Sequence, residues 1–290
     1  MATAPLVQPR PAPGPSARTF IRRSLMLNYL VLGIGAFTMV VPFVWMITTA
    51  FKPQAEWITF PPKFLPVEPT LENFQKAAES LDIFTLYRNT LYIAFVKSFI
   101  NLYVSCLAGY VFGKFDFRGK DVLFYMILAT WIIPFEVYMI PLYLMVNQQG
   151  MADTRLALII PELSSAYAIF MYRQFMFTIP NALIDAARID GAGEWYIWHR
   201  IIIPLSIPVL ATLAVFYFMW NFNDFLWPLI VLVSPKKFVL SLGLTSLFQE
   251  KGSFHGLIMA GAAMASIPIM IIFLFLQRYI TEGIALSGMK

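Results

Sequence analysis

Between Arg23 and Lys52 the chain carries no charged side chain, and five further runs, near 89–112, 122–146, 156–172, 205–233 and 257–276, are almost as apolar. About 20 such residues in helical form cross the hydrocarbon layer of a bilayer. Backbone N–H and C=O groups cannot stay unpaired there, so the runs are expected to be helices. The short alternating segments of a membrane barrel are absent from the sequence. The fold class that follows is an all-α integral membrane protein with six transmembrane helices. Hydrophobic residues make up 59% of the chain and charged residues 13%, against roughly a quarter charged in soluble domains. That excludes one or two ordinary soluble domains.

Residues 1–19 hold five prolines and little that could pack, so they read as a disordered, Pro-rich cytoplasmic tail ahead of a membrane domain over 20–290. The tail has no apolar core followed by a small-residue cleavage site, so the first span is expected to stay as a helix. Arg18, Arg22 and Arg23 before that span, and Lys114, Arg118 and Lys120 in the loop 113–121, favour the cytoplasmic side. Both termini are then cytoplasmic. The net charge of +5 comes with no basic stripe interleaved with aromatics, so a nucleic-acid partner is not expected. The one cysteine, Cys106, lies within the second span and rules out an internal disulfide. In the outer segment 51–88, Thr70 is expected to cap a short amphipathic helix starting at Leu71-Glu72-Asn73-Phe74. Gly109 and Gly113, and Gly256, Ala260 and Gly261, are spaced for close helix approach, within this subunit or against a partner.

Residues 180–208 form a polar island between two apolar spans. Pro180 suits the first turn of a helix, along which Leu183, Ala186, Ala187 and Asp190 share a narrow face. Gly191 then permits a turn that other residues resist. A second short helix is expected from about Glu194 to Ile203, with Trp195, Trp198 and Ile202 on one side and Pro204 beginning the next span. The product is a helix–turn–helix on the membrane face, with small residues for close docking. Asp185, Arg188, Asp190 and Arg200 are available for oriented ion pairs. A solvated amphipathic linker would have a similar composition.

The island also resembles the cytoplasmic coupling loop of ABC importer permeases, Glu-Ala-Ala, three residues, Gly, nine residues, Ile-x-Leu-Pro. Asp185, Ala186, Ala187, Gly191, Ile201 and Pro204 stand at those spacings. Asp185 replaces the usual Glu, and Ile203 the usual Leu. The resemblance runs collinearly over about 25–290. It includes Pro42-Phe43-Val44-Trp45-Met46, Phe51-Lys52-Pro53, Asn89-Thr90-Leu91, Leu107-Ala108-Gly109-Tyr110, Ile140-Pro141-Leu142-Tyr143, Asn223-Asp224-Phe225-Leu226-Trp227-Pro228 and Gln277-Arg278-Tyr279, and is similar to sugar permeases of the maltose type. It implies the type I ABC importer permease fold with a cytoplasmic coupling helix pair over 180–204, in the bacterial or archaeal cytoplasmic membrane. It further implies a second homologous permease, two ATPase subunits that carry ATP and Mg, and an extracytoplasmic sugar-binding protein. No cofactor is implied for this chain. Its implied role is that of the smaller six-helix permease in import of a di- or oligosaccharide, with a monosaccharide or glycerol-phosphate type as the alternative. The tail Gly283–Lys290 matches the family only loosely.

Lys97, Glu136, Glu162 and Asp224 interrupt apolar runs, and ionisable residues there are functional candidates. At about 1.5 Å per residue, Lys97, Glu136 and Glu162 share the outer half of the bilayer. Lys97 is expected to pair with Glu136 or Glu162, either as a packing ion pair or as lining of a sugar path. Asp224 with Trp220, Asn221 and Asn223 suits a sugar-facing surface or an interfacial cap. No catalytic set emerges. Gly113 to Gly119-Lys120 is one residue too long for a phosphate loop, and Asp121 stands where Ser or Thr is needed. His199 and His255 lack companions for a metal site. A carrier acting alone would be expected to show two related halves, and none is visible.

Overall fold

The computed structural model describes residues 15–251 and 254–288, and among them every regular element is a helix. In chain order these are α1 (Pro15–Ala50), α2 (Glu72–Leu81), α3 (Ile83–Lys114), α4 (Lys120–Ile132), α5 (Phe135–Gln148), α6 (Arg155–Ile159), α7 (Ala166–Met176), α8 (Asn181–Ile189), α9 (Glu194–Ile197), α10 (Ile203–Leu205), α11 (Ile207–Phe222), α12 (Leu226–Val231), α13 (Leu240–Lys251) and α14 (His255–Gly288). Of the Pro-rich tail expected over 1–19, residues 1–14 lie outside the described residues, and α1 opens at Pro15. Met289 and Lys290 also lie outside them.

Among the described residues, only α1, α3 and α14 contain single stretches long and apolar enough to cross a membrane: Met26–Ala50, Ile83–Lys114 and His255–Phe275. The other apolar runs are broken, two of them at prolines. Proline cannot donate the helical N–H and clashes with the preceding turn. The run 122–146 therefore divides at Ile133–Pro134, where α4 and α5 meet at 100°. At Pro161 the run 156–172 passes into a 3-10 turn (Ile160–Glu162) before Ser165, whose hydroxyl accepts from the Ala168 amide, starts α7. The run 205–233 is cut at Asn223–Phe225 into α11 and α12.

The long α3 is the central post, packed against α7 on one side and α11 on another. Small residues make the first contact possible. A β-carbon on Gly113 would lie 2.5 Å from Met176 Cβ, and one on Gly109 2.9 Å from the Ile169 carbonyl oxygen. This pair serves packing within the subunit. Gly113→Ala is expected to destabilise the α3–α7 contact by about 1–3 kcal/mol, the usual cost of overpacking. A lowered thermal midpoint of the purified protein would show it; an unchanged midpoint would contradict it.

A second cluster joins the end of α1 to α2 and α14. The last carbonyls of a helix lack intrahelical partners. Here buried Asn73 on α2 donates to both Ala50 O and Lys52 O at 2.8 Å. The expected Thr70 cap is displaced by one residue: Leu71 occupies the cap position, while Thr70 Oγ1 accepts from the Glu72 amide at 3.1 Å. Gly256 lets α14 approach, since a β-carbon there would meet Trp57 Nε1 at 2.2 Å.

At the end of the molecule remote from α8, Asp153 in a left-handed turn (φ 56°) clamps the 231–237 loop. Its carboxylate accepts from the Val233 and Ser234 amides, the Ser234 hydroxyl and Lys237 Nζ. Lys237, then the Ser234 hydroxyl and the two amides, hold the Asp153 carboxyl well below the usual carboxylate range. A depressed folded pKa gives stabilisation that is complete above the unfolded value of about 3.9 and lost as pH falls from there through the folded value. Asp153→Asn is therefore expected to speed amide exchange at Val233 and Ser234 at neutral pH, and the difference from wild type should shrink in strong acid. Equal exchange at neutral pH would contradict the clamp.

Candidate functional site: a helical hairpin and a buried ion triad

The polar island folds into the expected hairpin. Lys114, closing α3, donates to Ile179 O and to Asn181 Oδ1, the latter at 2.7 Å, and so fixes where α8 starts. Ile184 is buried and Ala187 half-buried against the core, whereas Leu183, Asp185, Ala186, Ile189 and Asp190 are exposed. Gly191 adopts φ 83° with open space around its Cα, a conformation that costs a side-chain-bearing residue about 1–2 kcal/mol. Arg188 bridges the turn, with Nε 2.7 Å from Glu194 Oε1 and Nη1 3.4 Å from Asp185 Oδ1. Asp190 and Arg200 form no ion pair among the described residues.

Three expectations for the second helix need correction. It is not a uniform α-helix: α9 runs into a π-turn (Trp198–Ile202) and then α10. Trp195 does not share a side with Trp198 and Ile202. Those two are buried with Ile197 against Tyr110 and Tyr172, while Trp195 is 63% exposed and stacks on His199. Pro204 does not begin the next span; it lies in α10, Ile201 before it is half-buried, and α11 starts after an 80° bend at Ser206. Wide π-turns carry an extra residue and favour functional positions. Here the turn sits where the hairpin joins the core.

Glu194 was not among the expected site residues, yet it joins the hairpin to α3. Its second oxygen accepts from the Tyr110 hydroxyl at 3.3 Å while the first holds Arg188. The available signal was a carboxylate in the first turn of a helix just after a glycine turn. The described contacts thus form one chain, Asp185–Arg188–Glu194–Tyr110, from the exposed face of the hairpin to the central post.

The ionisable residues of the apolar runs come together in part. Lys97 is 97% buried, with Nζ 2.8 Å from Glu162 Oε2 and 3.3 Å from Asp224 Oδ2. The Glu162 pairing was expected; Asp224 is the additional partner. Glu136 stays exposed at the start of α5 and makes no ion pair among the described residues. The triad pins two breaks, since Glu162 closes the 3-10 turn before α7 and Asp224 sits between α11 and α12. The surroundings are satisfied. Asn101 donates to Glu162 O at 2.9 Å, Asn221 to Ser98 Oγ at 2.8 Å, and Ser241 to Asp224 O at 2.6 Å. Asn221 is buried, whereas Trp220 is 77% exposed and Asn223 turns to Met219 O. Trp220, Asn221, Asn223 and Asp224, expected as a sugar-facing surface or an interfacial cap, therefore split into inward and outward members.

A sequence profile of the family described as binding-protein-dependent transport system inner membrane component matches residues 105–285. The arabinooligosaccharides transport system permease of Halalkalibacterium halodurans is 34% identical over 93% of this chain and 99% of its own length. The lactose transport system permease of Rhizobium radiobacter is 33% identical over 91% and 97%. A crystal structure of a bacterial ABC transporter involved in alginate import superposes with a TM-score of 0.82 at 24% identity, over 93% of this chain and 99% of that one. This chain belongs to that permease family, the inner membrane component of binding-protein-dependent transport systems.

Proposed function

We propose that this chain forms half of the translocation path of an ATP-driven di- or oligosaccharide importer and receives the movement of an ATPase through the α8–α9 hairpin. On this reading the second half comes from a homologous permease, two ATPase subunits hold ATP and Mg, and an extracytoplasmic binding protein delivers the sugar. The broken runs α4–α5, α6–α7 and α11–α12 count as one crossing each. With α1, α3 and α14 this makes six, and both termini are cytoplasmic.

The observation that carries the reading is the hairpin's construction. Its outer face leaves Leu183, Ile189, Trp195 and Tyr196 exposed beside charges, while Gly191, Arg188 and Glu194 fix its shape. Exposed apolar groups rimmed by polar ones mark protein contacts. The test is to extract the tagged subunit gently after expression with its native neighbours. Recovery of one homologous permease and an ATPase, with the ATPase lost on Ile189→Asp, is the expected result. A chain that purifies alone and still moves solute would overturn the reading in favour of an independent carrier.

A further inference from the structure

We infer that the glycan passed by this permease is uncharged, and that Glu136 with the Lys97 triad makes this chain's wall of the path anionic, so that uronic-acid and phosphorylated sugars are rejected. The inference rests on the sugar-permease reading above and adds the charge class of the substrate.

Charge balance comes first. The triad sets one ammonium, Lys97, against two carboxylates, Glu162 and Asp224, so its acidic groups outnumber its basic ones by one. The Glu162 side chain retains 35% of its exposure and Asp224 19%, whereas the lysine is sealed. Glu136 adds a further carboxylate, exposed and in no ion pair among the described residues. The cation Arg155 is engaged elsewhere, with Nη2 3.0 Å from Asn89 Oδ1 and its guanidinium over the Tyr92 ring.

Depth comes next. The 13 residues of α4 rise about 20 Å, and Glu136 lies just past its end, inside a hydrocarbon layer of about 30 Å. An ionisable group at that level does not face lipid; it faces a water-filled cavity or a partner. Helices broken inside a membrane are tolerated where they line such a cavity, and both carboxylates sit at breaks, Glu136 at Pro134 and Glu162 after Pro161.

Exposed side chains on α4 and α5 have the means to hold a neutral sugar. Tyr138, two residues past Glu136 on α5, is 42% exposed. Its hydroxyl can donate, and the carboxylates accept from sugar hydroxyls. Trp131, 59% exposed and 5.2 Å from the Tyr167 ring, offers an aromatic face. A wall lined by one sign of charge concentrates ligands of the opposite sign and repels those of its own.

The test places a single reporter, Tyr138→Cys, in the full chain reconstituted with its native neighbours. Native Cys106 is 1% exposed and supplies a silent background. Trimethylammonioethyl and sulfonatoethyl methanethiosulfonate are compared, each rate divided by that for 2-mercaptoethanol. The cationic reagent is expected to react at least about tenfold faster, and the ratio to fall severalfold with Glu136→Gln or Glu162→Gln. Equal normalised rates, or no reaction with either reagent, would overturn the anionic wall. Uptake by the same system carrying wild-type chain supplies the second arm, with tritiated lactose and arabinotriose against an alginate trisaccharide. Uptake of the acidic trisaccharide as fast as the neutral sugars would also overturn it. Failure to move any of the three would count against the sugar reading alone, because the labelling ratio still reports the charge of the wall.

Discussion

Replacing Lys97 by methionine is expected to cost the subunit about 3–5 kcal/mol, the usual penalty for leaving buried charge uncompensated. Methionine matches the length of the lysine stem, so the loss comes from charge and hydrogen bonding and not from volume. Two carboxylates 2.8 Å and 3.3 Å from Nζ would face each other without a cation. Glu162 is partly exposed and can swing toward solvent, which puts the expected cost at the lower end. The triple change Lys97→Met, Glu162→Gln, Asp224→Asn removes all three charges with near-isosteric groups and should restore most of the stability. Thermal unfolding of the purified complex reads both. A stable Lys97→Met single variant would mean that the triad does not hold α3 to the two breaks.

The second large effect belongs to the hairpin. Glu194→Ala removes the bonds to Arg188 and Tyr110 together, while both side chains of the Arg188–Glu194 pair are 39–44% exposed. Screening by water keeps the thermodynamic loss near 1 kcal/mol, so the fold and expression level should be almost unchanged. That energy nevertheless corresponds to about a fivefold shift in how often the hairpin holds its shape against α3. The expected phenotype is continued ATP hydrolysis by the assembled complex with sugar uptake reduced about fivefold. Gly191→Val should act in the same direction and more strongly, because a β-branched residue at φ 83° is strained whatever the surrounding space. Uptake and hydrolysis falling together, in proportion to lost protein, would show a stability defect instead.

Much of this was legible in the sequence because it is local. Apolar runs and the glycine turn at Gly191 depend on nearby residues alone, and Pro180 marks the start of α8 locally before Lys114 of α3 anchors it. The breaks were less legible. Averaging hydropathy over a run treats Pro134 and Pro161 as ordinary apolar residues, although both stop a helix. Partner choice was harder still. Lys97 reaches Glu162 and Asp224 across 65 and 127 residues, and only the packing of α3 against α11 selects Asp224 over Glu136. Trp195 was misplaced for a related reason. Regular spacing puts it with Trp198 and Ile202, but the inward side of that segment is set by Tyr110 and Tyr172, which draw in Ile197 instead.

The most direct measurement is ATP-dependent sugar uptake into vesicles holding this subunit with its neighbouring permease and ATPase, with and without the binding protein. Binding-protein-dependent uptake that Gly191→Val abolishes while the complex stays assembled is the predicted result. Uptake that proceeds without ATP or binding protein, or that ignores the state of the hairpin, would contradict a coupled importer.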